Sequence, residues 1–413
     1  MMAPMFKVIR GGEVFAPEEI GRPEVLIAGE RILAMGQGLV ERARALGEVE
    51  AIDAEGMLVV PGFIDQHIHF LGGGDFEGLS GRVPELQLSW ITAGGVTTAA
   101  GLLGIDMDFK NLHGLLVKAN EIEHQGLTTY IYTGSFRVPG PCLTTSARAD
   151  IVLIDKVIGV KAAIAEDTYP NLSLDAFATL AGEVKLAGAI TGKAAVIHCH
   201  TGRNPKRLQQ IFDLLEEVRL PPSQIVPTHV NRREPNALEH GIAFAKMGGT
   251  VDFSCNLSKR SGSLTTLNPD LALREALDAG VPLAQITLSS DANVSMPVLD
   301  EDDRIIGLHN APPAILHREF VQIARTLDLP LSDVLSLVTT NVARVLKIEY
   351  RKGRLAPGKD ADVVFLTPDL QVDTVIARGR ILRRGGEPTV KGPYEEPWPH
   401  ETATLPAGAR GRA

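Results

Sequence analysis

The chain has 413 residues, 44% apolar and 22% charged, with a formal net charge of -9. These values suit a soluble globular protein with one large domain and a smaller one, and the acidic balance excludes the basic footprint of a nucleic-acid surface. No apolar run reaches membrane-spanning length, the start lacks a signal-peptide pattern, and three cysteines (Cys142, Cys199, Cys255) do not make a disulfide framework; the expected setting is a reducing cytoplasm.

Residues 1 to about 58 read as short strands joined by turns. Phe6–Arg10 meets Gly11-Gly12 and then Val14-Phe15, Val25–Ala28 meets Gly29-Glu30 and then Arg31–Ala34, and Ala51–Asp53 turns at Glu55-Gly56 into Met57–Val60. This is hairpin chemistry and predicts a small β-sandwich.

From Phe63 apolar strands alternate with segments of helical length. The expected strands are Phe63–Ile68, Val96–Gly101, Thr128–Thr133, Gly159–Ile164, Ala195–His200, Ile225–His229, Thr250–Ser254 and Ile286–Ser290. Expected helices include Phe109–His124, Leu174–Ala187, Lys206–Val218, Pro235–Lys246, Pro269–Ala279, Pro313–Leu327 and Ser332–Leu346. Such alternation implies parallel pairing with right-handed crossovers, and eight units imply an α/β fold of the (β/α)8 TIM-barrel type. Residues 353–388 return to strand patterning and complete the sandwich. The expected division is 1–60 plus 351–391 as sandwich, 61–350 as barrel, and 392–413 as an extended or disordered tail.

The strand ends carry the chemistry. His67 and His69 are two apart, so on a strand both imidazoles face one side. Lys161 lies on the fourth strand, His198 and His200 end the fifth, His229 the sixth, and Asp291 follows the eighth. Barrel enzymes build their sites on this face, and imidazole and carboxylate are divalent-metal ligands. Two adjacent ions can jointly activate one water. A bare lysine ammonium cannot ligate; Lys161 joins such a set only as a covalently modified anion. His198 and His200 share side-chain parity, so either fits the pattern. His113, His124, His240, His309, His317 and His400 read as surface or structural.

This set resembles the amidohydrolase superfamily, and Gly358–Val364 resembles its C-terminal motif. Within it the chain is similar to the bacterial isoaspartyl dipeptidases, through Pro61–His67, Gly101–Gly104, Val157–Lys161, Pro227–Arg232 and Leu288–Asp291. The resemblance implies two divalent ions, zinc by family habit. His67 and His69 would hold one, His200 and His229 the other, with Lys161 bridging them after carboxylation by CO2. Asp291 would bind the first ion and move the proton. Glu77, Arg232 and Ser295 would contact substrate, and the family's multimers imply a homo-oligomer.

The chain departs from that family at the substrate. Phe136 stands where the family has a tyrosine, Thr168 (or Asp167) where it has a second carboxylate-binding arginine, and Ile105 where it has a threonine; the loop before Glu77 is re-spaced. The expected activity is metal-dependent hydrolysis of a small-molecule amide or dipeptide of the β-aspartyl kind. The alternatives are an N-acyl amino acid deacylase, a cyclic-amide hydrolase and a non-catalytic assembly subunit.

Overall fold

The computed structural model describes residues 5–74, 81–137, 139–166, 172–232, 236–258, 266–299, 304–399 and 402–403. All eight expected strands are present: β1 (Phe63–Gly73), β2 (Val96–Gly101), β3 (Thr128–Gly134), β4 (Val157–Ile164), β5 (Val196–Thr201), β6 (Ile225–Thr228), β7 (Val251–Ser254) and β8 (Ile286–Ser289). They lie side by side in chain order, and each paired neighbour is parallel. Every residue of β1, β2 and β4 is buried, as a strand between a filled barrel and a ring of helices must be.

The ring closes at the histidine pair. β8 ends at Ser289 and the chain kinks at Asp291, whose φ of 50° is unusual for a residue with a Cβ. It continues as β9 (Ala292–Leu299), which pairs with β1 through Ala292 and Ile68. The Asp291 N–H donates to His67 O at 3.0 Å. β9 then turns back antiparallel on β10 (Ile305–Asn310), a hairpin the sequence pattern did not suggest.

Helix starts follow side-chain capping: Asn111 accepts from Gly114 N (3.0 Å) and Ser173 from Ala176 N (3.2 Å). The expected helix Ser332–Leu346 is two helices, Leu331–Ser336 and Thr340–Val345. Between them the carbonyls of Leu337 and Val338 accept from Leu288 N of β8 (3.1 Å) and Ile64 N of β1 (2.8 Å). The barrel strands thus take over carbonyls that a continuous helix would have used.

Both ends of the chain build the flanking sheets. Strands 31–36, 24–28, 6–10 and 49–53 form one, and strands 13–14, 58–61, 363–366, 372–377, 380–384 and 387–388 the other. Ile9, Val25, Ile27, Val59, Val363 and Phe365 pack in one core between them. Only one of the three expected hairpins forms, Glu24–Ala28 against Arg31–Gly36. Phe6–Arg10 pairs with 24–28 and 49–53, while Glu13–Val14 and Leu58–Pro61 belong to the other sheet. The turns at 11–12 and 54–57 are corners between sheets, and at Gly12 a Cβ would lie 2.6 Å from Val59 Cγ2. Residues 392–399 carry no helix or strand; Trp398 packs edge-on against Trp90, whose Nε1 donates to Glu396 O at 2.8 Å.

The Gly358–Val364 motif locks barrel to sandwich. Lys352, 2% exposed, donates to Asp362 Oδ2 (2.6 Å) and to Thr128 Oγ1 at the start of β3 (2.7 Å), and pairs with Asp360 Oδ2 at 2.8 Å. Asp360 also meets Arg31 and Arg351. Lys352→Met keeps the stem but strands buried carboxylate, so we expect a loss of about 3–5 kcal/mol, read from the urea unfolding midpoint.

Candidate metal centre

β1 aims His67 and His69 into one cavity. Their Nε2 atoms lie 3.2 and 3.4 Å from the same oxygen, Asp291 Oδ1. A one-residue irregularity in the β1–β2 pairing between Asp65 and Ile68 adjusts this stretch. Asp65 braces it from behind: its Oδ1 accepts from His67 N (3.2 Å) and Ser290 N (3.1 Å). The strand carrying one half of the cluster is thereby fixed to the kink carrying the other. Asn293 adds a second brace, donating to His69 O at 3.0 Å.

His229 sits just past β6 at φ 66°. Its Nδ1 meets Ser254 Oγ of β7 at 2.6 Å, and its ring lies 4.5 Å from that of His200 and 5.1 Å from that of His67. His200 Nε2 lies 2.8 Å from Glu166 Oε1. His200, not His198, lines the cavity; His198 lies one layer deeper against His67. Lys161 of β4 reaches the same cavity with its Nζ buried and, among the described residues, without a hydrogen-bond partner. The six residues expected to act together therefore meet in one cavity of about 320 Å3.

Burial decides their charge states. Desolvation, then the neighbouring Lys161, pulls the His67 imidazole down to about 3, and burial puts His229 well below the usual range too. Lys161 is pulled by burial to about 8. Burial works to raise the Asp291 carboxyl, but His229 and His67 outweigh it and hold it well below the usual range. His67, His200 and His229 are thus neutral nitrogen donors beside the ionised Asp291 and Glu166, the form that binds a cation. His67, His69 and Asp291 place their donor atoms within 4.8 Å of one another, close enough to share an ion. An unpartnered, partly deprotonated buried amine at Lys161 fits carboxylation, which needs a neutral nucleophile.

The remaining expected residues divide. Phe136 lies with its ring 4.6 Å from that of His200, and no hydroxyl accompanies it. Arg232 lines the cavity with its Nε donating to Thr201 O at 3.0 Å. Ser295 of β9 and Ile105 also line it. Glu77, Asp167 and Thr168 lie outside the described residues. Glu166 and Asp65 were not singled out by their sequence setting. The available signals were an acid two residues after β4 and an acid two residues before the His-x-His pair. His309 and His317, read as surface or structural, are both buried, and His317 Nε2 lies 2.6 Å from Leu370 O.

Comparison with known proteins agrees with this geometry. Residues 180–382 match the Amidohydrolase family. The solved beta-aspartyl dipeptidase of Fervidobacterium islandicum AW-1, in complex with beta-Asp-Leu dipeptide, is 35% identical with a TM-score of 0.86, covering 94% of this chain and 99% of that one. Allantoinase of Escherichia coli is 23% identical, over 88% of this chain and 86% of its own. A D-hydantoinase structure, 19% identical with a TM-score of 0.68, covers 93% of this chain and 96% of that one and shares the fold. Barrel and cavity together define a metal-dependent hydrolase. The chain belongs to the amidohydrolase family, and its full-length likeness to beta-aspartyl dipeptidase is the strong one among these three.

Asp65 gives the site a pH signature. Burial raises its carboxyl from 3.8 to about 7. The native chain keeps that proton where the unfolded chain has lost it, so its stabilisation is present below pH ~4 and is lost as pH rises through ~7. Asp252, raised by burial to about 6, acts in the same direction. In chelator-treated protein the thermal midpoint should fall across this window, and Asp65→Asn should flatten part of the fall.

Proposed function

We propose that the chain is a binuclear metallohydrolase that cleaves an amide bond in small molecules bearing a carboxylate, most closely β-aspartyl dipeptides. The convergence of His67 and His69 on Asp291 Oδ1, at 3.2 and 3.4 Å, carries the reading. His67, His69 and Asp291 would hold one ion and His200 and His229 the second, with Lys161 bridging them as its carbamate. Two divalent ions, zinc by family habit, supply acidity to a water and polarise a carbonyl.

The chain's own residues do the rest. Asp291, ionised and at the ring closure, takes the proton from the attacking water and returns it to the leaving amine. Arg232 receives the substrate carboxylate, its guanidinium oriented by the Thr201 carbonyl. Ser295 contacts the substrate from β9, and Glu77 orients its amine. Phe136 packs beside His200 and donates no hydrogen bond, so stabilisation of a developing oxyanion would fall to the ions that the histidines, Lys161 and Asp291 would hold. The homo-oligomer and the cytoplasm stay part of the proposal, and among the described residues no helix is long and apolar enough to cross a membrane.

One observation favours a second reading. Ile105, Phe136, Leu257, Met296 and Pro297 make an apolar wall in the cavity, which would also accept the acyl chain of an N-acyl amino acid. Turnover of β-aspartyl, γ-glutamyl and N-acyl amino acid substrates, with metal analysis of the same preparation, separates the two. We expect β-aspartyl peptides with an apolar second residue to lead; preference for N-acyl substrates would transfer the assignment. Asp291→Ala and His200→Ala should abolish turnover, and full activity in either would end the scheme. Arg232→Ala should weaken carboxylate substrates by about 1.5–3 kcal/mol in kcat/KM, leaving their amides little changed.

A further inference from the structure

We propose that His198 is a positioning residue that sets the ring tautomer of His67 and thereby the affinity of the first ion site; this rests on the metal-site reading above. His198 lies on β5 two residues before His200, so both project into the barrel, and it is fully buried. Its Nε2 is 2.8 Å from His67 Nδ1. His67 turns its other nitrogen, Nε2, toward Asp291 Oδ1 at 3.2 Å.

An imidazole ligates through a nitrogen that carries no proton, and the partner of its other nitrogen decides where the proton sits. With Nε2 as the ligand, His67 must carry its proton on Nδ1, and His198 Nε2 is the acceptor that proton meets. His198 must then be protonated at Nδ1. Its ring cannot turn away from this task easily: it stacks on Tyr132 at 5.1 Å and 24°, and meets the His67 ring at 4.9 Å and 73°. Tyr132 is itself fully buried.

Asp252 completes the arrangement. A carboxylate oxygen of Asp252 and ring nitrogens of His67 and His198 lie within 4.8 Å of one another. The two rings are engaged with each other at hydrogen-bond distance, so the trio is read as support for His67 and not as a separate ion cage. A carboxylate beside the pair favours polarisation of the His67 N–H away from the ligand nitrogen, which makes Nε2 a better donor. Asp252 is held by Gln66 Nε2 (2.8 Å), Thr228 Oγ1 (2.7 Å) and Ser289 Oγ (2.5 Å), which ties this support to β1, β6 and β8.

The test compares His198→Gln with His198→Met in the full-length protein. The two side chains are alike in length, and only Gln offers an oxygen acceptor. The metal-free proteins are titrated with Co2+ against a competing chelator, and the thermal midpoint of each metal-free protein is recorded. In His198→Met one of the two ions should bind about 10–100-fold more weakly, the other as in wild type, and His198→Gln should recover most of the loss. Wild-type affinity for both ions in folded His198→Met overturns the proposal. So does equal weakening in both variants, which would assign the effect to packing. Should neither variant fold, nitrogen NMR of the histidine-labelled, zinc-loaded wild type decides: His198 protonated at Nδ1 supports the proposal and at Nε2 overturns it. Failure of the wild type to take up any ion sinks the metal-site reading itself, and this inference with it.

Discussion

Burial of the polar groups around the cavity governs the chemistry of this protein. A protonated imidazole or an ammonium taken out of water loses hydration that only a close counter-charge replaces. At this cavity Asp291 faces His67 and His229 and Glu166 faces His200, yet burial outweighs both carboxylates and holds these three imidazoles neutral. Neutral imidazoles beside two carboxylates then favour a cation. The same desolvation that keeps Lys161 from holding its proton firmly makes its amine nucleophilic. The cation-binding character of the site thus follows from one burial pattern set by the strands.

The scaffold exists to hold that pattern still. The ring closes through the Asp291 N–H on His67 O, so the two halves of the first ligand set cannot drift apart without opening the barrel. Asp65 ties the same two segments a second time. Behind them Asp252 joins β1, β6, β7 and β8 through hydroxyl and amide donors. Lys352 then fastens the start of β3 to the sandwich. Such layered support keeps ligands in place within the tolerance that metal chemistry demands.

The eight barrel strands were legible because each is an apolar run bounded by turn residues and buried on both faces. The six site residues were legible because strand ends are where a parallel barrel gathers polar groups, and His67 and His69 share parity. What the sequence concealed depends on partners distant in the chain. The helix at 331–345 breaks because Leu337 and Val338 serve β1 and β8, which no local pattern records. The turns at 11–12 and 54–57 have hairpin composition, yet they join two different sheets. Glu166 and Asp65 gain their meaning only when β5 and β8 are brought beside them. Choosing His200 over His198 from the residues alone was impossible, since both face inward; depth in the barrel separates them.

The sandwich couples the order of synthesis to the order of folding. Leu58–Pro61, the strand that leads directly into the histidine pair, pairs with Val363–Leu366, which leaves the ribosome only after every barrel strand has been made. Until then the apolar faces around Ile9, Val25 and Val59 have no opposing sheet and remain exposed to other nascent chains. Contacts of such sequence separation form slowly and leave intermediates open to aggregation. Leu58–Pro61, made early, is therefore among the last of the strands to complete its native pairing.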